Sequence, residues 1–490
     1  MPDVSSDLSL APAAAAEPPA APPAAPSTAS VQGRPGAAAG TLSPRTREML
    51  EGPIVATLLR LALPNVAVMV VQAGVGALET WYVSGLGTEA LAGVALVFPL
   101  LMLMQMMSAG AMGGGVSSAI ARALGAGRRQ DAQALVLHAI WIAVALGALF
   151  SAGLVGGGPW LYRAMGGTGG ALSAALLYSA IVFLGAIPLW LLNTLANVLR
   201  GTGNMLVPAV VTLCGAIVPI ALSPALIYGW GPFPRLEVAG AGIGMVTYYL
   251  VGVIWLGGYL ASGRAAVTLR SSGVRLRWAT FWDILRVGLL SSLGALIANL
   301  TIVLVTGLVG SFGTAALAGY GIGSRLEYMQ IPLVFGIGAA LVAMVGTNAG
   351  AGRMERAHRI AWTGAALAGG LTLAIGGTVA LWPLAWAGLF SSEPAVLDAA
   401  IGYLRWVGPA YGFLGFGMAL YFASQGAGRM GWPLVSGLIR LGIAALGSWV
   451  AVRWLGAGLD TIYMLLAIAL ALFGLLIAAA IRAGAWRRGR

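Results

Sequence analysis

Glu79, Glu327, Arg325 and Arg440 each stand within long apolar runs of the sequence. A charged side chain at the centre of a bilayer costs at least ~2.5 kcal/mol, so such groups are candidate functional residues by position alone. An acid in apolar surroundings can hold a proton near neutral pH and give it up when a cation arrives or water enters, which makes Glu79 and Glu327 candidate cation-coupling residues. Glu79 has a second reading as an interfacial acid beside the aromatic pair Trp81 and Tyr82. Arg325 and Glu327 fall about 9 and 11 residues into their run, near the midplane at 1.5 Å per residue. They point about 200° apart on a helix and so cannot pair with each other. Arg440 reaches a similar depth from the other side and is the expected partner of Glu327, in an ion pair that is either functional or a device for fixing helix register.

Amides complete the polar set. Asn65, Gln72, Gln105, Asn193, Asn197 and Gln330 lie within apolar segments, and with Arg325 and Arg440 they are the candidate substrate or cavity residues. Asn193 and Asn197 share a helix face, as a cavity wall or an interhelical hydrogen bond would require. Gln330 stands one turn from Glu327. Met102, Met104, Met106 and Met107 suit either an adaptable cavity for apolar cations or ordinary packing. No glycine loop followed by Lys is present to cradle a nucleotide, so direct use of ATP is not expected. The single Cys214 permits no intrachain disulfide, and with His138 and His358 alone beside it no zinc site, metal or other cofactor is expected.

The elements that carry these residues follow from composition. Of 490 residues, 59% are hydrophobic and 9% charged, with a mean hydropathy of +0.89. Soluble domains carry roughly 25% charged residues, so water cannot be the solvent for most of this surface. At ~20 apolar residues per crossing, residues 54 to 482 have room for about twelve spanning helices. Their runs do not alternate with period two, which excludes a barrel. The expected spans are 54–82, 90–120, 133–157, 172–199, 206–229, 239–261, 284–311, 316–346, 359–388, 397–424, 431–456 and 461–481. Thr88 is read as the cap of the second, with Glu89 favouring its helix dipole.

All 27 basic residues are Arg, as in a GC-rich bacterial genome. A net charge of +12 would suit a nucleic-acid partner, but the arginines fall in short clusters between apolar spans. Counting Arg200 among the loop residues, 21 arginines lie on the side of the termini and 4, Arg163, Arg235, Arg405 and Arg453, on the other. The positive-inside rule then puts both termini in the cytoplasm of a bacterial inner-membrane protein that meets anionic lipid and no nucleic acid. Residues 1 to 50 form a Pro/Ala/Ser tract without the basic start and apolar centre of a signal peptide, and read as a disordered cytoplasmic tail. An N-lobe at 51–261, a cytoplasmic linker at 262–280, a C-lobe at 281–482 and a basic tail at 483–490 follow.

An internal repeat at an offset of 225 or 226 residues supports that division. Gly87-Thr88-Glu89-Ala90-Leu91-Ala92-Gly93 recurs as Gly313-Thr314-Ala315-Ala316-Leu317-Ala318-Gly319, and Gly125-Ala126-Gly127-Arg128 recurs as Gly350-Ala351-Gly352-Arg353. Gly201-Thr202-Gly203 followed by Pro208 recurs as Gly426-Ala427-Gly428 followed by Pro433. Each half has an even number of spans, so the halves have the same orientation. The fold class is therefore an all-α polytopic membrane protein of about twelve helices, in two six-helix lobes related by a pseudo-two-fold axis.

Several of these pieces resemble the multidrug and toxic compound extrusion (MATE) family over about residues 54 to 480. They are Leu78-Glu79-Thr80 with Gly85 and Gly87, the two Gly-Ala-Gly-Arg turns, Arg200-Gly201-Thr202-Gly203-Asn204, and Pro224-Ala225-Leu226-Ile227-Tyr228-Gly229. In the second half, Gly323-Ser324-Arg325-Leu326-Glu327 and Val345-Gly346-Thr347-Asn348-Ala349-Gly350-Ala351-Gly352 are similar to the family's span-eight pattern. The resemblance implies a secondary antiporter, not an enzyme, that exports small organic compounds in exchange for H⁺ or Na⁺ as a monomer, with Glu79 at the family's acidic position. Where relatives carry an Asn and an Asp in span five, Pro219 and Ser223 stand here. Two rival functions remain. A lipid-linked saccharide flippase of the same superfamily would call for a cleft rich in arginines, and a membrane-embedded enzyme for a midplane cluster of His, Asp or Cys.

Overall fold

The computed structural model describes residues 42–269 and 275–487. Ten of its helices are long and apolar enough to cross a bilayer: Ile54–Ser84 (span one), Thr88–Gly125 (two), Arg129–Ala164 (three), Leu206–Tyr228 (five), Val238–Ala261 (six), Trp278–Gly310 (seven), Thr314–Gly350 (eight), Met354–Leu381 (nine), Gly431–Leu455 (eleven) and Leu459–Arg482 (twelve). Span four is a pair, Gly169–Leu184 and Ala186–Gly201, bent by 46° at Gly185. Span ten is likewise a pair, Pro394–Val407 and Tyr411–Ala427, each half too short to cross alone. The 225-residue offset lays Gly169 on Pro394 and Ala186 on Tyr411, so the two broken spans are repeat mates. Pro188 and Pro409 stand at the breaks and lack the N–H that an unbroken ladder needs. With these pairs the chain has two sets of six, and no strand among the described residues.

Spans two and eight start alike. Gly87 and Gly313, repeat mates, precede them at φ 103° and 105°, a region that costs other residues dearly. The cap is thus Gly87, and Thr88 opens the helix instead of capping it. The Glu89 carboxylate lies against Gly170, in the first turn of span four, where the helix dipole favours an anion.

The expected tail ends sooner than residue 50. Pro44–Glu51 is a helix, capped by the Ser43 hydroxyl that accepts from Thr46 N–H at 3.2 Å. Its last carbonyls are taken by the C-lobe. Asn348 Nδ2 donates to Met49 O at 3.0 Å, Arg353 Nη1 to Leu50 O at 3.1 Å, and Arg356 to Gly52 O. A helix end leaves such carbonyls without partners, which is why the sequence pattern alone did not reveal this docking. Met49 and Trp486, from near the two ends of the described residues, join one apolar cluster with Met205 and Met344, so these two segments lie on one face of the described bundle, called here the terminal face. The linker packs on span three: Arg277 N–H donates to His138 Nε2 at 3.0 Å, and Arg129 Nε to Ala266 O at 3.2 Å. The tail before residue 42, linker residues 270–274 and residues 488–490 lie outside the described residues.

Candidate functional site

Span one carries Glu79 into the N-lobe, where it is 9% exposed. Tyr178 of span four donates its hydroxyl to Glu79 Oε1 at 3.4 Å, and Tyr249 of span six stands nearby. The acid therefore faces into the bundle, whereas the neighbouring Trp81 is exposed. A single weak hydrogen bond leaves most of the carboxylate's accepting capacity free for a proton or a cation. Ser223 of span five is fully buried with its hydroxyl unpartnered.

The C-lobe holds the pair that depth counting anticipated. Arg440 Nη2 lies 3.6 Å from Glu327 Oε1, with the side chains 14% and 18% exposed. Tyr403 donates to Glu327 Oε2 at 3.4 Å, and Tyr411 stands 3.3 Å from the Tyr403 hydroxyl. The Arg440 guanidinium also lies over the Phe473 ring, 5.7 Å from its centroid. The repeat offset carries Tyr178 onto Tyr403. Equivalent tyrosines thus serve an acid in each lobe, yet the acids are not equivalent, because Glu79 comes from the first span of its lobe and Glu327 from the second.

Between the lobes, Met106–Met112 of span two is a π-helical stretch. Widening a helix in this way frees carbonyls from their own ladder. Asn197 Nδ2 takes Ala109 O at 3.0 Å, while Gln425 Nε2, from the other lobe, takes Gly110 O at 3.2 Å and Ala111 O at 3.3 Å. Asn193 Nδ2 donates to Ser108 Oγ at 2.8 Å and approaches Gln105 Oε1 at 3.5 Å. Nearer the terminal face, Ser118 Oγ donates to Gly426 O at 3.0 Å and Arg122 pairs with Asp283 at 3.0 Å. The Arg122 side chain is 12% exposed and that of Asp283 34%, so this inter-lobe pair is shielded on the arginine side only. Two glycines permit the contact. A Cβ on Gly125 would overlap the Thr347 carbonyl oxygen, and one on Gly350 would overlap that of Arg122. All inter-lobe hydrogen bonds among the described residues lie between the middle of the spans and the terminal face.

The other sequence candidates divide. Gln72 stands beside the Tyr248 hydroxyl of span six. Asn65 and Gln330 are buried and bond back to their own helices, to Leu61 O at 3.0 Å and Leu326 O at 3.3 Å, so neither reaches a partner span and Gln330 does not join Glu327. Arg325 is exposed, and its guanidinium lies 5.3 Å from the centre of the Phe390 ring, in the loop after span nine. Depth counting fixes a Cα and not a long side chain, and here the side chain turns toward the loop after span nine. Sequence reading missed Tyr178, Tyr403 and Gln425. Applying the repeat offset to tyrosines as well as glycines would have found the first two.

Residues 64–225 and 291–450 match the MatE family model. The chain is 31% identical over 417 residues to the FAD transporter of Shewanella oneidensis, covering 82% of this chain and 90% of that one. It is 26% identical over 405 residues to the "Probable multidrug resistance protein NorM" of Thermotoga maritima, covering 82% and 86%. A solved multidrug resistance MATE family transporter of the MOP superfamily, in an outward-facing conformation, superposes with a TM-score of 0.82 at 25% identity over 90% of this chain and 98% of that one. Two six-span lobes, the repeat between them and matches in both halves lead to one conclusion: the chain belongs to the MatE family of multi-pass membrane transporters.

Proposed function

We propose that this protein is a secondary antiporter that exports organic compounds, cationic or amphipathic, in exchange for H⁺ or Na⁺, working as a monomer in a bacterial inner membrane with both termini in the cytoplasm. The observation that carries this reading is Glu79, an acid enclosed in the N-lobe with one tyrosine hydroxyl as its hydrogen-bond partner. Such a carboxyl can be charged or neutral at modest cost, and so can alternate between a proton and another cation. The driving energy is that of the ion gradient, ~2.3 kcal/mol per charge and 100 mV. Glu327, already paired with Arg440, is the second coupling candidate.

The relative named as a FAD transporter supports a second reading of the cargo, an anionic nucleotide. Efflux from energised vesicles tests the coupling. Glu79→Gln preserves shape without ionising and should abolish gradient-dependent efflux while leaving folding and part of cargo binding intact, and Glu79→Asp should keep part of the efflux. Wild-type efflux in Glu79→Gln would move coupling to the C-lobe.

A further inference from the structure

Arg200 ends span four, where the count of loop arginines treats it as a solvated orientation charge. It is instead 5% exposed. No carboxylate lies within ion-pair distance of it among the described residues, and its Nε has no hydrogen-bond partner. A buried guanidinium without a counter-charge is one of the costlier arrangements in a protein interior, and within membranes such residues mark binding or transport sites.

The repeat sharpens the point, because the offset of 225 carries Arg200 onto Gln425. Gln425 is fully buried and spends its amide N–H groups on Gly110 O, Ala111 O and Ser291 Oγ at 3.2, 3.3 and 2.9 Å. One lobe thus fills the position with a neutral group whose donors are used, the other with a cation whose charge is not. Arg200 shares a face of span four with Asn193 and Asn197. Those amides are occupied by Ser108 and Ala109 of span two, which leaves the arginine as the open member of the face. Tyr248 of span six packs its ring against Gly215 of span five, one turn from Thr212, and its hydroxyl is in reach of Gln72 of span one and Thr212, close enough to feel the Arg200 charge. Gln72 is partly exposed, unlike Arg200.

We propose that Arg200, with Tyr248, Gln72 and Thr212, forms an anion-binding pocket in the N-lobe that receives a phosphate or carboxylate group of the cargo. This rests on the transporter reading in its second form, an anionic cargo, and names the group by which that cargo is recognised. A guanidinium fork matches two oxygens of either group, while the tyrosine and threonine hydroxyls and the glutamine amide can donate to the others. The pocket also adjoins the coupling acid. Gln72 and Glu79 are seven residues, two turns, apart on span one, and the Tyr248 and Tyr249 rings lie 5.5 Å apart between the two sites.

Riboflavin and FMN differ only by a phosphate and fluoresce, so their quenching by purified protein in lipid nanodiscs measures what the phosphate contributes without any ion gradient. The wild type should bind FMN at least about tenfold more tightly than riboflavin, a margin suited to one charge-assisted contact of about 1.4 kcal/mol. Arg200→Gln, which installs the C-lobe residue, should bring the ratio near one with riboflavin binding unchanged, and Arg200→Lys should keep most of it. In the wild type, inorganic pyrophosphate should compete with FMN and not with riboflavin, which decides the matter even if Arg200→Gln does not fold. An equal affinity for the two flavins in the wild type, no binding of either, or an unchanged ratio in Arg200→Gln would overturn the pocket. Loss of gradient-driven efflux with the FMN preference intact would count against the antiporter reading alone.

Discussion

Removing the Glu327 carboxylate should strand a cation inside the C-lobe. At 3.6 Å and an effective dielectric constant of about 20, the attraction to Arg440 is roughly 4 to 5 kcal/mol. Part of that only offsets the desolvation of two side chains that are four-fifths or more covered. The single variants Glu327→Gln and Arg440→Met should therefore each destabilise the protein by about 3 to 5 kcal/mol, because each leaves an uncompensated buried group. In Glu327→Gln the Arg440 guanidinium loses its counter-charge and keeps a neutral amide oxygen and the Phe473 ring, the latter a contact of about 1 kcal/mol. The double variant should cost less than the sum of the singles, by about 2 to 3 kcal/mol of coupling. Detergent unfolding followed by tryptophan fluorescence, for which the chain offers 16 reporters, supplies the four corners of the cycle. A coupling energy below about 0.5 kcal/mol, within the scatter of additive sites, would refute the argument that the two charges neutralise each other.

Gly350→Ala should open the terminal face, since its methyl overlaps the Arg122 carbonyl oxygen. Overpacking costs about 1 to 3 kcal/mol, so a thiol reporter introduced by Ser118→Cys in a Cys214→Ser background should label at least about fivefold faster, and an unchanged rate would reject the close approach as a barrier. For orientation, a cysteine in place of Arg487 should resist impermeant reagents in intact cells, whereas one in place of Arg453 should react. Reversed labelling would invert the topology drawn from the arginine count.

What could be read beforehand depended on whether the signal was local. Spans and lobes were legible because apolar length and glycine-turn spacing are properties of the chain itself. The Glu327 and Arg440 pair was legible because rise per residue fixes depth, and the other deep guanidinium, Arg325, points about 200° away from Glu327 on the same helix. Arg325 shows the limit of the same count, since depth fixes a Cα and not the end of a long flexible side chain. Arg200 was misplaced because a hydropathy boundary cannot tell a helix end in water from one roofed by its neighbours. The π-helical stretch at Met106–Met112 was invisible, because it is held by amides that arrive from residues 197 and 425.

The glycine contacts at the terminal face have the form of a dimer interface. Gly125 meets Thr347 while Gly350 meets Arg122, and the offset that relates the two glycines also relates their partners. Residue i touching j while the mate of i touches the mate of j is the signature of an isologous contact, the kind two identical subunits make about a two-fold axis. The chain is in this sense a homodimer written as one polypeptide, with the stretch after span six acting as a tether that raises the local concentration of one half for the other. Once tethered, the halves were free to diverge without losing each other. That freedom is visible in the tyrosine that kept its place in both lobes while the acid it holds moved from one helix to the next.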